Sequence, residues 1–124
     1  MDAQRTLPVG PLVKDPSAAP WPPRREINGK FVVLRPLDAG RDGDQLFAVS
    51  HPPGDDGALW TYMSYGPFPD AVAMTAWLEV QQTQQDPLFF TVVDQPSRQP
   101  MGLVSYLNIA PEMQRLEIGH IWYG

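Results

Sequence analysis

The chain has 124 residues, of which 43% are hydrophobic and 19% are charged, and its formal net charge is −5. This length and composition predict one small globular domain and argue against a disordered chain. The acidic balance gives no electrostatic reason to bind nucleic acid or an anionic membrane. Cysteine is absent, which excludes disulfides, thiolate catalysis and cysteine-ligated zinc.

Signals for a metal site or a membrane segment are weak. The two histidines, His51 and His120, lie far apart in the sequence, so a histidine-rich metal site is not expected. No apolar run approaches the roughly 20 residues that span a bilayer, and the N-terminus lacks the apolar core of a signal peptide. We therefore expect a cytoplasmic protein that uses no metal.

Residues 1–25 are rich in proline and precede the predicted domain, which occupies residues 26–124. Six of the 15 prolines fall in this stretch, and proline disfavours both helix interiors and central strands. One interpretation is an extended arm that Leu12, Val13 and Trp21 pin to the domain surface. The other is a loosely ordered leader.

The first elements of the domain are a strand and a helix. Residues 30–35 are largely β-branched and apolar, and Pro36 closes this predicted strand. Residues 38–50 predict a helix with Asp42 and Asp44 near its positive end. Residues 51–57 contain many Pro, Gly and Asp, so we expect a loop in which His51 is exposed.

A second helix is predicted after an aromatic segment. Residues 59–69 contain Trp60, Tyr62, Tyr65 and Phe68. Asp70 can cap the following helix, which we expect from Ala71 to about Gln84.

The C-terminal third predicts three strands, at residues 88–93, 101–107 and 116–124, joined by short turns. Such spacing is typical of an antiparallel meander. A strand, two helices and a three-strand meander together predict an α+β fold, with a mainly antiparallel mixed sheet and flanking helices.

The order of these features resembles the GNAT superfamily of acyl-coenzyme A-dependent N-acetyltransferases. The likeness extends over about residues 26–124 and is nearest to the branch that includes the ribosomal-protein N-terminal alanine acetyltransferases. Each motif is short, and it is their order and spacing together that carry the resemblance. The motifs are residues 31–37, residues 60–62 between the helices, residues 87–90, Gly102 and residues 117–122.

This resemblance implies acetyl transfer from acetyl-CoA to an amine, which would be a small molecule or a protein N-terminus. It also implies that the chain corresponds to the N-terminal half of the family's domain, truncated after its fourth strand. The family's pyrophosphate-binding turn would follow Gly124. On this view the 124 residues alone are an inactive fragment.

The terminal strand carries the candidate catalytic residues, Glu117 and His120. Strict alternation would place Glu117, Gly119, Ile121 and Tyr123 on one face and His120 on the other. Glu117 is the candidate base that takes the proton from the amine. The alternative is a carboxylate at the end of the hairpin that is exposed to water or paired with Arg115 or Arg35. His120 either relays a proton, since histidine titrates near neutrality, or is a half-buried side chain satisfied by backbone groups.

The remaining site residues follow from the resemblance. It implies that the backbone of Ile121, Trp122 and Tyr123 pairs with the pantetheine arm of the cosubstrate. Gly119 either marks a bulge that opens a slot for this arm or is a packing glycine.

The same resemblance places the aromatic segment beside the acceptor. Trp60, Tyr62 and Tyr65 either line the acceptor pocket or form an apolar lid on the core.

An alternative function is a truncated, non-catalytic acetyltransferase-like module that acts in binding or dimerisation. The terminal strand supports this view, because an uncovered strand edge pairs readily with a second copy of the chain. In that case a homodimer through the terminal strand is expected.

Overall fold

The computed structural model describes residues 7–124, which form a five-stranded sheet with two helices packed on one face. The strands are β1 (Ile27–Asn28), β2 (Val32–Pro36), β3 (Leu88–Asp94), β4 (Pro100–Ala110) and β5 (Arg115–Tyr123). The helices are α1 (Ala39–Ser50) and α2 (Ala71–Gln81), and short 3₁₀ turns occur at Ala58–Trp60 and Pro111–Met113. Neither helix of this part of the chain is long and apolar enough to cross a membrane.

The sheet order is β1-β2-β3-β4-β5, and every neighbouring pair is antiparallel. The predicted α+β fold with a mainly antiparallel sheet and flanking helices is confirmed. The terminal strand is the fifth strand and not the fourth, because Ile27 and Asn28 add a two-residue strand that pairs with Leu34 and Val33.

Both helices begin at an aspartate, as the sequence predicts. The Asp38 carboxylate accepts a hydrogen bond from the Arg41 N–H at 3.2 Å, and the Asp70 carboxylate accepts one from the Ala73 N–H at 2.8 Å. Helix α2 ends at Gln81, three residues before its predicted end. The amides of Thr83 and Gln84 donate to the carbonyls of Val80 and Gln81, three residues back instead of four, and such tight turns are common at helix C-termini.

The main core lies between the helices and the sheet face that carries Phe89 of β3 and Leu103 of β4. Leu46 of α1 and Met74 and Leu78 of α2 fill it and are fully buried. Because β3 is the central strand, all but the last of its seven residues are buried. This explains why its sequence is apolar apart from Thr91 and the terminal Asp94.

Asp42, in the first turn of α1 as predicted, is buried and ion-paired. Its carboxylate, 0% exposed, accepts hydrogen bonds from Arg35 at 2.6 Å, from Arg41 at 2.9 Å and from the Thr91 hydroxyl at 2.7 Å. Burial pushes the pKa of Asp42 up. The bonds from Arg41 and Thr91 and the charges of Arg35 and Arg41 outweigh burial, so the pKa lies below its usual value.

The proline-rich arm is fastened to the domain mainly by hydrogen bonds. Of the apolar residues expected to pin it, Leu12 is 95% exposed and Val13 64%, whereas Trp21 is 42% exposed and lines a surface pocket with Leu88 of β3. The Gln114 side chain donates hydrogen bonds to the carbonyls of Asp15 at 2.6 Å and Ser17 at 2.5 Å.

Two further contacts hold the later part of the arm. The Ala19 N–H donates to the Pro111 carbonyl at 2.9 Å. The Arg24 side chain bonds the Gln82 carbonyl, and it bonds the Gln84 carbonyl at 2.5 Å, at the end of α2. The arm therefore joins the β4–β5 hairpin to helix α2.

Candidate functional site

The candidate site centres on β5, which within residues 7–124 pairs only with β4. The pairing is interrupted: Gly119 lies opposite Ser105 and Trp122 opposite Leu103, so two residues of β5, His120 and Ile121, stand against one residue of β4. This is a β-bulge, and His120 adopts the left-handed backbone conformation there, with φ of 49°.

The bulge makes the prediction of strict alternation wrong beyond Gly119. Ser105 and Leu103 share one face of β4, so their partners Gly119 and Trp122 share that face as well. Glu117, paired with Leu107, lies on this face too. Of the two interpretations of Gly119, the bulge is the one observed, immediately after this residue. The Ser105 hydroxyl donates a 3.0 Å hydrogen bond to the Gly119 carbonyl beside it.

Glu117 is exposed. This exposure agrees with the alternative of a hairpin-end carboxylate in water. Pairing with Arg115 or Arg35 is not observed, because the ion pairs among residues 7–124 are Arg35–Asp42 and Arg41–Asp42. Its carboxylate is therefore open to solvent and to a substrate on the face that carries Gly119 and Trp122.

His120 is half-buried among aromatic rings. Its ring centroid lies 5.8 Å from that of Tyr65 and 5.5 Å from that of Phe89. Phe89 belongs to the core beneath the helices. The bulge therefore brings His120 to the helix-covered side of the sheet, the side that also carries Glu117.

The aromatic segment between the helices separates into buried and exposed members. Trp60 is 3% exposed and packs on Trp122 of β5, with ring centroids 5.5 Å apart. Tyr65 is half-buried and stacks on Trp77 of α2 at 4.1 Å. Tyr62 is 98% exposed and stands apart from these rings. Trp60 thus covers the core, whereas Tyr62 is free to contact a ligand.

Unpartnered polar atoms concentrate in this aromatic cluster. Within the described part of the chain, four buried side-chain nitrogen or oxygen atoms have no hydrogen-bond partner: Arg35 Nε, Trp60 Nε1, Tyr65 Oη and Trp122 Nε1. Three of the four belong to Trp122 of β5 and to Trp60 and Tyr65, which lie beside this strand. Buried donors without an acceptor are uncommon in folded proteins, and each calls for an explanation such as a ligand that supplies the acceptor. Burial also raises the pKa of Tyr65, so its hydroxyl stays a donor at neutral pH.

His51 is a residue whose environment the sequence did not predict. It is half-buried, not an exposed loop residue: its ring stacks on Phe47 at 4.4 Å and lies 5.2 Å from Trp60. Its Nε2 accepts a hydrogen bond from the Phe68 N–H at 2.9 Å. A backbone N–H 17 residues away leaves no local sequence signal.

No group of three or more His, Cys, Asp or Glu side chains able to hold a metal ion occurs among residues 7–124.

Several solved structures are similar to this chain in fold and sequence. No protein-family model and no curated protein matches the sequence. Two solved structures are each 33% identical to it. One is a GCN5-related N-acetyltransferase from Brucella melitensis, with a TM-score of 0.79 over 87% of this chain and 48% of that chain. The other is a probable acetyltransferase of the GNAT family from Chromobacterium violaceum ATCC 12472, with a TM-score of 0.77 over 98% of this chain and 60% of that chain.

A third structure, of an acetyltransferase from T. thermophilus, is 21% identical with a TM-score of 0.63 and shares the fold. These neighbours support the GNAT superfamily for this chain. The chain spans about half the length of the structures that it matches, from 48% to 60%.

Proposed function

We propose that this chain belongs to an acyl-CoA-dependent N-acetyltransferase, as the N-terminal part of its GNAT domain, and that β5 contributes the reaction centre. The observation that carries the proposal is the bulge at His120–Ile121, which lies beside the unpartnered donors of Trp60, Tyr65 and Trp122. The 33% identity to two GNAT-family structures supports the same assignment. The branch near the ribosomal-protein alanine acetyltransferases is the more specific form of the proposal.

Acetyl-CoA is the proposed cosubstrate, and the residues of β5 would bind it. The outer edge of β5 has no strand partner among residues 7–124, so backbone groups of Ile121, Trp122 and Tyr123 can pair with an extended amide-containing chain, as an added strand would. The unpartnered donors offer hydrogen bonds to carbonyl oxygens. When bound, acetyl-CoA supplies the acetyl group as an activated thioester.

In this proposal Glu117 is the general base and His120 the proton relay. The exposed carboxylate of Glu117 accepts the proton of the acceptor amine, directly or through a water molecule, which frees the nitrogen lone pair for attack. His120 lies on the same side of the sheet and can pass the proton onward. The strained backbone of His120 is typical of a functional position.

The acceptor is an amine, either in a small molecule or at a protein N-terminus, and the loop between the helices borders it. Tyr62, with its exposed ring, is proposed to contact the acceptor directly. Trp60 and Tyr65, which are packed against Trp122 and Trp77, shape the wall behind it. We propose the cytoplasm as the place of action.

The decisive experiment measures thiol release from acetyl-CoA with a panel of amines and N-terminal peptides. It uses the longest gene product that contains this chain. We expect Glu117→Gln to lower kcat/KM about 10²-fold or more, as the loss of a general base does. Glu112→Gln is the matched control, because Glu112 is an exposed acid on the same hairpin. Equal rates for the two variants would exclude Glu117 as the base.

His120→Asn separates the relay from a packing role. Asparagine tolerates the left-handed conformation but cannot titrate. We expect this variant to fold and to lower kcat, because an asparagine amide cannot accept and release a proton. An unchanged kcat would assign His120 to packing alone.

A second candidate function is a non-catalytic module that dimerises through β5. It is favoured by the exposed apolar side chains of this edge strand, where Ile118 is 61% exposed, Ile121 43% and Tyr123 58%. Light scattering tests it: this function requires a dimer of the 124-residue chain that Ile118→Lys dissociates. A monomer at all concentrations would rule it out.

A further inference from the structure

His51 occupies the junction between α1 and the loop that leads to α2. Both of its ring nitrogens are engaged: Nδ1 lies 2.8 Å from the Ser50 hydroxyl, and Nε2 accepts from the Phe68 N–H at 2.9 Å. The Ser50 hydroxyl in turn lies 2.7 Å from the Leu46 carbonyl. The His51 ring therefore joins the end of α1 to Phe68, which lies 17 residues after His51.

The hydrogen-bond directions require a neutral ring. A backbone N–H can only donate, so Nε2 carries no proton and the neutral ring holds its proton on Nδ1. That proton is donated to the Ser50 oxygen, and the Ser50 hydroxyl donates to the Leu46 carbonyl. In an imidazolium both nitrogens are donors, so protonation removes the acceptor for the Phe68 N–H.

A second position is available to the protonated ring. A cavity of about 320 Å³ lies beside His51, with walls that include Phe47, Phe68 and three prolines. Within the described residues, the charged side chains that line this cavity are Asp55 and Asp56 of the loop. The other elements packed against His51, which are α1, the 3₁₀ turn and residues 67–69, present uncharged groups to it. A cationic ring in this cavity gains carboxylate partners that a neutral ring does not need.

We propose that His51 is a proton-operated latch for the loop between the helices. The neutral ring holds Phe68, and with it the loop, against the end of α1. Protonation releases the Phe68 N–H and moves the ring toward Asp55. This goes beyond acetyl transfer, and it does not depend on the chain being an enzyme.

The electrostatic environment agrees with this geometry. Burial lowers the pKa of His51, and the backbone contact with Phe47 and the charge of Asp55 oppose that shift only in part. The pKa of His51 in the closed state lies below the unperturbed value of about 6.5. Closure of the loop is therefore favoured above about pH 6.5. Closure is progressively lost as the pH falls through the lower, closed-state pKa.

The latch is connected to β5 through Trp60. The Trp60 ring lies 5.2 Å from His51 on one side and 5.5 Å from Trp122 on the other. Opening of the loop therefore loosens the packing that covers the strand with the candidate site. Because packed cores hold discrete arrangements, we expect two distinct loop states and not a gradual drift.

Nitrogen-15 NMR of the full 124-residue chain tests the latch directly. At pH 7 we expect the His51 ring to be the Nδ1–H tautomer. On acidification the Phe68 amide signal should move with the same midpoint as the His51 ring, below about 6.5. A midpoint about one unit lower corresponds to closure that is about tenfold weaker in the protonated form. An Nε2–H tautomer at pH 7, or a Phe68 amide that does not follow His51, would overturn the proposal.

Two surface variants sharpen the test. Asp55→Asn removes the partner of the open state, so the midpoint should fall further below that of the natural chain. Asp44→Asn is the matched control, an exposed acid on α1 outside the cavity, and should leave the midpoint unchanged. Equal midpoints for the two variants would show that Asp55 does not receive the protonated ring.

Discussion

The indole rings of Trp60 and Trp122 lie with their centroids 5.5 Å apart, and this contact joins the loop between the helices to the edge strand β5. Both side chains are almost fully buried, at 3% and 4% exposure, and both Nε1 atoms lack a partner in the described residues. The contact therefore has two roles. It closes one end of the core, and it brings two free donors to the strand that carries Glu117 and His120.

Replacing Trp122 with alanine should destabilise the fold by about 3–5 kcal/mol, because the change removes a large buried ring and leaves a cavity. Chemical denaturation followed by circular dichroism measures this. Tyr62→Ala is the control: its ring is 98% exposed, so its free energy of unfolding should change by no more than about 0.5 kcal/mol. Any loss of acetyl transfer in Tyr62→Ala would then report contact with the acceptor.

Asp42→Asn should destabilise the fold by roughly 1–3 kcal/mol, since it weakens the buried hydrogen bonds to Arg35, Arg41 and Thr91. Asp44→Asn, in the same helix but exposed, should be near neutral. The comparison of unfolding free energies at pH 7 measures the difference. Similar values for the two variants would mean that water compensates Arg35 and Arg41, whose side chains are partly exposed.

Acid should weaken the fold through Asp42. Its pKa in the folded chain lies below the value of 3.8 for a free aspartate, so its carboxylate stabilises the fold above pH 3.8, and this contribution is lost as the pH falls through the folded-state pKa. In Asp42→Asn, the slope of unfolding free energy against pH should be shallower below about pH 4. An identical slope would assign the acid sensitivity to other carboxylates.

The two glycines of the β4–β5 ladder should differ in their tolerance of a methyl group. In Gly102→Ala the new Cβ would overlap the backbone carbonyl of Trp122, which cannot move away cheaply. We expect a loss of about 1–3 kcal/mol from this overpacking. In Gly119→Ala the Cβ would lie 2.8 Å from the Leu107 Cδ2, the flexible end of a side chain, so the loss should be smaller. Thermal unfolding of both variants tests the order.

Gln114→Ala should release the N-terminal arm. The variant loses the hydrogen bonds to the Asp15 and Ser17 carbonyls, and we expect a cost of roughly 1–2 kcal/mol from two exposed bonds. Limited proteolysis should then cut within residues 15–25 faster than in the natural chain. Gln99→Ala, an exposed glutamine between β3 and β4, should leave the cleavage rate unchanged.

Much of the fold was predictable because its signals are local. Asp38 and Asp70 cap their helices, and the apolar run of β3 marks a central strand. The register of β5 was not predictable. Alternation assumes one residue opposite one residue, and the bulge at His120–Ile121 breaks this rule through a backbone conformation that histidine rarely adopts.

The environments of Asp42 and His51 have no local sequence signal either. The expected exposure of His51 is wrong, and the position of Asp42 in the first turn of α1 does not indicate its burial. Their hydrogen-bond partners come from distant parts of the chain: the Thr91 hydroxyl, 49 residues from Asp42, and the Phe68 amide, 17 residues from His51. No spacing rule connects such pairs, because their proximity arises only when α1 packs on the sheet and the loop folds back.

The amino-acid sequence by itself determined the two helices, the four longer strands, their order, the antiparallel meander and the resemblance to GNAT acetyltransferases, since all of these depend on neighbouring residues. The tertiary structure alone decided that Glu117 and His120 share the helix-covered side of the sheet. It also decided that Trp60, Tyr65 and Trp122 leave their donors unpartnered beside β5. A single extra residue in a strand reverses the faces of all that follow it, and such an insertion in the ladder is set by the partner strand and by packing, not by the local sequence.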